Sequence, residues 1–179
     1  IGINGFGRIG RLILRALLEN YKDKIQVVAI NDLGSIEANA HLIKYDSTHG
    51  TLPYDVETSK EGFKILNQNI KVFAERDPVN LPWGKVGADV VLECTGLFLD
   101  KASAEKHIKA GAKKVIISAP AKDVDFTIVQ GVNSKDLKKE HNVISNGSCT
   151  TNCLAPVAMV LEKNFGIEYG YMTTIHSYT

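Results

Sequence analysis

Gly5-Phe6-Gly7-Arg8-Ile9-Gly10 decides the fold of this chain. The run is G-x-G-x-x-G, and its neighbours give it meaning. The apolar stretch Ile1–Ile3 precedes it as a strand. A helix follows, with Ile9, Leu12, Ile13, Ala16 and Leu17 expected on its packed face. Ile25–Ile30 is a continuous apolar run, the mark of a buried parallel strand, and it ends at Asn31-Asp32, about 20 residues beyond the turn. Each part has a chemical reason. The glycines allow a tight turn and let a pyrophosphate approach the backbone. The helix start offers free N–H groups and the positive end of a dipole. Asp32 can accept from ribose hydroxyls and would repel a 2′-phosphate, which favours NAD over NADP. Without this context the run would be only a glycine-rich structural turn beside a surface aspartate.

Outward from this turn, strand and helix alternate. Ser35 is placed to cap a helix running to about Lys44. Leu52–Ala74 reads as antiparallel hairpin strands, with turns at Gly62 and Asn67-Gln68-Asn69, and Pro78 and Pro82 mark an irregular loop. Val90–Glu93 is a buried strand followed by the turn Thr95-Gly96. Ala102–Ala110 is a helix stopped by Gly111. Val115–Ser118, Phe126–Val129 and Val143–Ser145 complete the strands, and a helix runs from about Cys149 to Lys163. Tyr169–Thr179, rich in Tyr and Thr, reads as a strand opening a new sheet. The expected architecture is α/β, a Rossmann-type doubly wound parallel sheet, followed by the start of a second α+β catalytic domain. The boundary is expected at Gly147, giving a nucleotide-binding domain over 1–147 and the first, truncated part of a catalytic domain over 148–179. Only three residues precede the glycine-rich turn, and the chain stops at Thr179 after an apolar and β-branched run. It therefore reads as a fragment of a longer protein.

Composition narrows the function classes. The chain has 179 residues, 44% hydrophobic and 23% charged, the profile of a globular domain with a packed core. Lys and Arg number 21 against 20 Asp and Glu, so no basic excess points to nucleic acid or a membrane surface. Apolar runs are too short to span a bilayer. Three Cys form no disulfide framework, and a reducing, cytoplasmic setting is expected.

The second informative stretch is Ser145-Asn146-Gly147-Ser148-Cys149-Thr150-Thr151-Asn152-Cys153. Small and capping residues lead into a helix whose first turn holds Cys149. The positive end of the helix dipole is expected to favour its thiolate. Ser148 and Thr150 supply donors suited to an oxyanion or a phosphate. Cys153, one turn on, reads as a packed, inert thiol; no further Cys or His completes a metal site, and none is expected. Cys94 reads as core. His176, in Thr174-Ile175-His176-Ser177, is a candidate activator of the thiol, with a hydrogen-bonded strand histidine as the other reading. His41, His49, His107 and His141 sit less suitably on helices and polar loops.

The motifs G-I-N-G-F-G-R-I-G-R, I-N-D-L, K-Y-D-S-T-H-G, E-R-D-P, E-C-T-G, I-S-A-P-A-K-D, S-C-T-T-N-C-L-A-P and I-H-S-Y-T resemble those of phosphorylating glyceraldehyde-3-phosphate dehydrogenase, from end to end of the chain. The resemblance implies a set of roles. Gly5, Gly7, Arg8, Ile9 and Gly10 would bind the NAD pyrophosphate, and Asn31 and Asp32 the adenosine end. Arg76 would contact the adenine. Thr95, Gly96 and Ser118 would lie along the cofactor toward the nicotinamide. Cys149 would be the nucleophile and His176 its partner. Ser148 and Thr150 would line the site for inorganic phosphate and substrate, and Thr179 would hold the substrate's phosphate. The implied reaction is NAD-dependent oxidative phosphorylation of glyceraldehyde 3-phosphate to 1,3-bisphosphoglycerate through a thioester, in glycolysis, by a homotetramer. Gly147 departs from the family, which usually has Ala there. The length departs too, since the family's chain is nearly twice as long. Three alternatives share these residues: an erythrose-4-phosphate dehydrogenase on the same scaffold, an inactive NAD-binding fragment, and a thiol hydrolase or transferase without a dinucleotide.

Overall fold

A computed structural model describes residues 1–176. The chain order is β1 (Gly2–Asn4), α1 (Arg8–Asn20), β2 (Ala29–Asn31), α2 (Ile36–Lys44), β3 (Tyr45–Asp46), β4 (Gly50–Thr51), β5 (Val56–Ser59), β6 (Gly62–Ile65) and β7 (Gln68–Phe73). Then come α3 (Trp83–Val86), β8 (Val90–Glu93), α4 (Lys101–Lys109), β9 (Lys114–Ile117), β10 (Phe126–Thr127), β11 (Val143–Ser145) and α5 (Cys149–Phe165). The main sheet runs β10-β11-β9-β8-β1-β2-β7-β6-β5. Its strands are parallel from β10 to β7, and β6 and β5 fold back antiparallel on one edge. β1 pairs with β2 on one side and β8 on the other. Strand order therefore reverses beside β1, the topological switch point at which open α/β sheets bind ligands.

Alternation along each strand sends side chains to two helical layers. Ile3 and Ile30 join Leu14 and Leu18 of α1 and Ile43 of α2 in one apolar cluster. Ala29 and Val91 point the other way, onto Trp83 of α3. Ala104 of α4 packs on Val115, Ile117 and Val143. A side chain on Gly2 would meet the Trp83 ring at 2.6 Å, so the indole lies directly on the strand.

Helices α1, α2, α4 and α5 follow the sequence reading, while the short α3 lies just after Pro82, where no helix was expected. Ser35 caps α2 as expected, its Oγ accepting from the Ala38 N–H. Four other details differ. The buried face of α1 is Gly10, Leu14, Arg15 and Leu18, while Ile9 and Ala16 are exposed. Gly10 fixes that rotation: a Cβ there would lie 2.2 Å from the Gly5 carbonyl oxygen, so the first turn presses backbone to backbone. Arg15 is buried because its Nη2 reaches the carbonyls of Ile43 and Gly50, each at 2.9 Å, which ties the β3–β4 ribbon to α1. β2 begins at Ala29, not Ile25; the Gln68 side chain takes the Val27 N–H at 3.0 Å. Residues 169–176 form no strand and are exposed, because a strand needs a partner and none of the described residues pairs with them.

Candidate functional site

The cofactor cleft forms where β1, β2 and β8 end. It encloses about 370 Å³ and is lined by Gly5, Gly7, Asn31, Asp32, Arg76 and Thr95, among others. A larger hollow of about 620 Å³ lies on the hairpin edge among β5, β6 and β7. The smaller cleft is the candidate because the glycine-rich turn, a helix start and Asp32 converge there.

Gly5 has φ +88°, and a Cβ on it would lie 2.7 Å from the Thr95 backbone nitrogen. Only glycine lets these two turns meet across the switch point. Gly7 opens onto empty space: a Cβ there would meet nothing within 4 Å. It is also the N-cap of α1, and no side chain caps that helix start. The first-turn N–H groups of Arg8 and Ile9 are thus left for an anion. Asp32 accepts from the Phe6 N–H through Oδ2 and from the Gly34 N–H through Oδ1, both at 2.9 Å. These bonds fix the carboxylate and leave lone pairs on both oxygens. The cradle, the uncapped helix and the fixed acid fit a dinucleotide.

Several predicted residues also make hydrogen bonds within the walls. The Asn31 amide donates to Asn4 Oδ1 (2.7 Å) and to the Glu75 carbonyl (2.8 Å). The Thr95 hydroxyl donates to Glu93 and accepts from the Leu97 N–H. Gly96 sits in the exposed turn after Thr95. Ser118 follows β9 with its N–H on the Glu93 carbonyl. Burial pushes the Cys94 thiol up to about 11, so it stays protonated at neutral pH. The sequence reading passed over Asn4 and Glu93. Their signal was a polar residue closing each apolar strand.

The thiol end is more open. Ser148 caps α5, accepting from the Thr151 N–H at 2.9 Å, and Cys149 is the exposed first residue of the helix. Gly147 takes φ +65°, a left-handed turn that Ala would strain. His176 Nε2 lies 3.4 Å from Thr150 Oγ1 and 2.9 Å from Thr174 Oγ1. It reaches Thr150, the neighbour of Cys149, from an irregular segment rather than from a strand. Cys153 is exposed and not packed, because α5 buries none of its residues. Thr179 lies outside the described residues. Among the described residues no helix is long and apolar enough to cross a membrane.

A parallel sheet with a glycine turn, a bare helix start and a fixed acid at its switch point defines a dinucleotide-binding α/β protein. Residues 1–101 match the family model for the glyceraldehyde 3-phosphate dehydrogenase NAD binding domain, and residues 148–179 match that family's C-terminal domain. The chain belongs to the glyceraldehyde 3-phosphate dehydrogenase family, and its cofactor is NAD. It is 56% identical to glyceraldehyde-3-phosphate dehydrogenase of Pseudomonas aeruginosa, over all of this chain and 54% of that protein. It is 57% identical to that of Streptomyces coelicolor, over all of this chain and 53% of that protein. It is 54% identical to that of Xanthobacter flavus, with the same shares. The chain thus spans about half the length of the curated relatives it matches.

Proposed function

We propose that the whole protein converts glyceraldehyde 3-phosphate, NAD and inorganic phosphate to 1,3-bisphosphoglycerate through a thioester on Cys149. The observation that carries this reading is the exposed thiol at the start of α5, two residues after the glycine turn that leaves the nucleotide-binding sheet. The proposed division is 1–147 for NAD and 148–179 for the start of the catalytic part.

Gly5, Gly7 and Gly10, with the backbone of Arg8 and Ile9, hold the pyrophosphate. Asn31 and Asp32 serve the adenosine end and Arg76 the adenine. Thr95, Gly96 and Ser118 line the path toward the nicotinamide. NAD bound there supplies the hydride acceptor. The Cys149 thiolate attacks the aldehyde carbon and forms a C–S bond, giving a hemithioacetal. His176 takes the hydroxyl proton as the carbon gives up its hydride, which leaves the thioester. Ser148, Thr150 and Thr179 receive the phosphate groups. N–H groups at the start of α5 stabilise the oxyanion. Phosphate then attacks the thioester carbonyl, the C–S bond breaks, and Cys149 leaves as thiolate. A cytoplasmic homotetramer completes this reading.

Cys149→Ser in the whole protein is expected to lower turnover by more than about 1,000-fold while NAD affinity, read by calorimetry, stays unchanged. Turnover near the wild-type value rejects the nucleophile.

A further inference from the structure

Behind the cleft lies a row of buried polar side chains. Glu93, ending β8, is 1% exposed, and His107 of α4 and Trp83 of α3 are fully buried. Trp83 Nε1 donates to His107 Nδ1 at 2.9 Å, and His107 Nε2 lies 2.9 Å from Glu93 Oε2. Asn4 Nδ2 donates to the same Oε2 at 2.6 Å. The Thr95 N–H donates to Glu93 Oε1 at 2.7 Å, and the Thr95 hydroxyl shares that oxygen.

The direction of every bond is fixed from the ends. An indole N–H can only donate, so His107 Nδ1 must accept and the ring proton sits on Nε2, facing Glu93. At the other end, the Glu75 N–H donates to Asn31 Oδ1 at 2.8 Å and the Glu75 carbonyl accepts from Asn31 Nδ2. That backbone pair sets the Asn31 amide, whose second hydrogen goes to Asn4 Oδ1. Asn4 must then turn its own NH2 to Glu93. Four donors converge on two oxygens, and the three from Asn4, His107 and the Thr95 backbone cannot become acceptors. An acceptor-only carboxylate satisfies all four.

We infer that Glu93 is a positioning residue for dinucleotide binding: its buried carboxylate sets the Thr95–Leu97 turn directly and, through Asn4 and Asn31, the Glu75–Arg76 wall of the cleft. This inference rests on the NAD reading of the cleft. A glutamine at 93 shows why the charge matters. Its NH2 cannot face Asn4 and His107, both locked as donors. It must face Thr95, where the hydroxyl can reverse but the backbone N–H cannot. The defect therefore falls on the cleft wall and not in the core behind it.

The test compares wild type, Glu93→Gln, Thr95→Val and the double variant in the whole protein. Calorimetry gives the NAD Kd, and steady-state kinetics gives KM for NAD and kcat. Glu93→Gln is expected to raise Kd and KM roughly tenfold, the size of one lost buried hydrogen bond to a charged group, with kcat within about twofold. The double variant should lose less than the product of the two single losses, because both act on the same bonds. Wild-type NAD affinity in Glu93→Gln, independent losses in the double variant, or a fall in kcat with unchanged KM would each overturn the proposal. Should Glu93→Gln not fold, Thr95→Val on its half-exposed turn carries the test, and unchanged NAD affinity there overturns it. A wild-type protein without NAD affinity removes the cofactor reading itself, a different outcome from all of these.

Discussion

The end of β1 and the start of α5 are both glycine turns leading into helices, and both carry predicted site residues. Around the first, Asn4, Asn31 and Glu93 are buried with partners for their polar atoms, and Gly5 and Gly10 are pressed against backbone. Around the second, Cys149 is exposed and α5 has no buried residue. Leu154, Val157 and Leu161 share an open groove with Phe165, Ile167, Tyr169 and Met172. The contrast teaches that the cofactor cleft is shaped by contacts within the first 147 residues. The thiol's helix, by contrast, gains its order from its own caps and hydrogen bonds.

The largest expected break in the comparison comes from truncating one leucine on each side. Leu14→Ala, in the cluster under β1, should destabilise the 179-residue chain by about 3 kcal/mol. Leu161→Ala on α5 should change it by less than about 0.5 kcal/mol. Urea unfolding measures both, and equal losses would remove the contrast.

A pH experiment sharpens it next. Lys101, opening α4, bonds Asp125 Oδ1 at 2.6 Å, and the Asn142 and Val143 N–H groups bond its Oδ2, which brings the Asp125 carboxyl down to about 2. A depressed carboxylate stabilises the fold above its unfolded value of 3.8, and that stability fades as pH falls toward 2. With Lys101 partly exposed, the contribution is about 1 kcal/mol. Asp125→Asn should therefore flatten the acid limb of stability between those values, and an unchanged limb would reject the ion pair.

The smallest effect concerns the α5 cap. Ser148→Ala removes the acceptor for the Thr151 N–H and should cost about 1 kcal/mol or less, seen as faster amide exchange over Cys149–Asn152. The α1 amides should not change.

Much of the cofactor end was legible because it depends on local chemistry. Gly5, Gly7 and Gly10 announced a tight turn, and Asp32 stood out as an acid at a strand end beside it. The helix and strand types followed from periodicity. The face of α1 was missed because Gly10 sets it by touching Gly5 across the turn, a contact that periodicity does not contain. Arg15 and Glu93 were missed because a lone charge in an apolar run becomes buried only when distant carbonyls or donors converge on it. The strand expected over Tyr169–Thr179 does not form in residues 169–176 for a related reason: β-branched residues favour an extended chain, but pairing requires a partner.

The sequence by itself determined the parallel sheet, the glycine turn, the acid at position 32 and the thiol at a helix start. Each is encoded within a few neighbouring residues by propensity, capping or φ preference. Only the tertiary structure decided which side chains open to the cleft and which brace it. Asn31 and Thr95 line the cleft yet turn their polar atoms inward, because Asn4 of β1, His107 of α4 and Thr95 all donate to the buried Glu93 carboxylate, with Asn31 held behind Asn4, a convergence that no local pattern could locate.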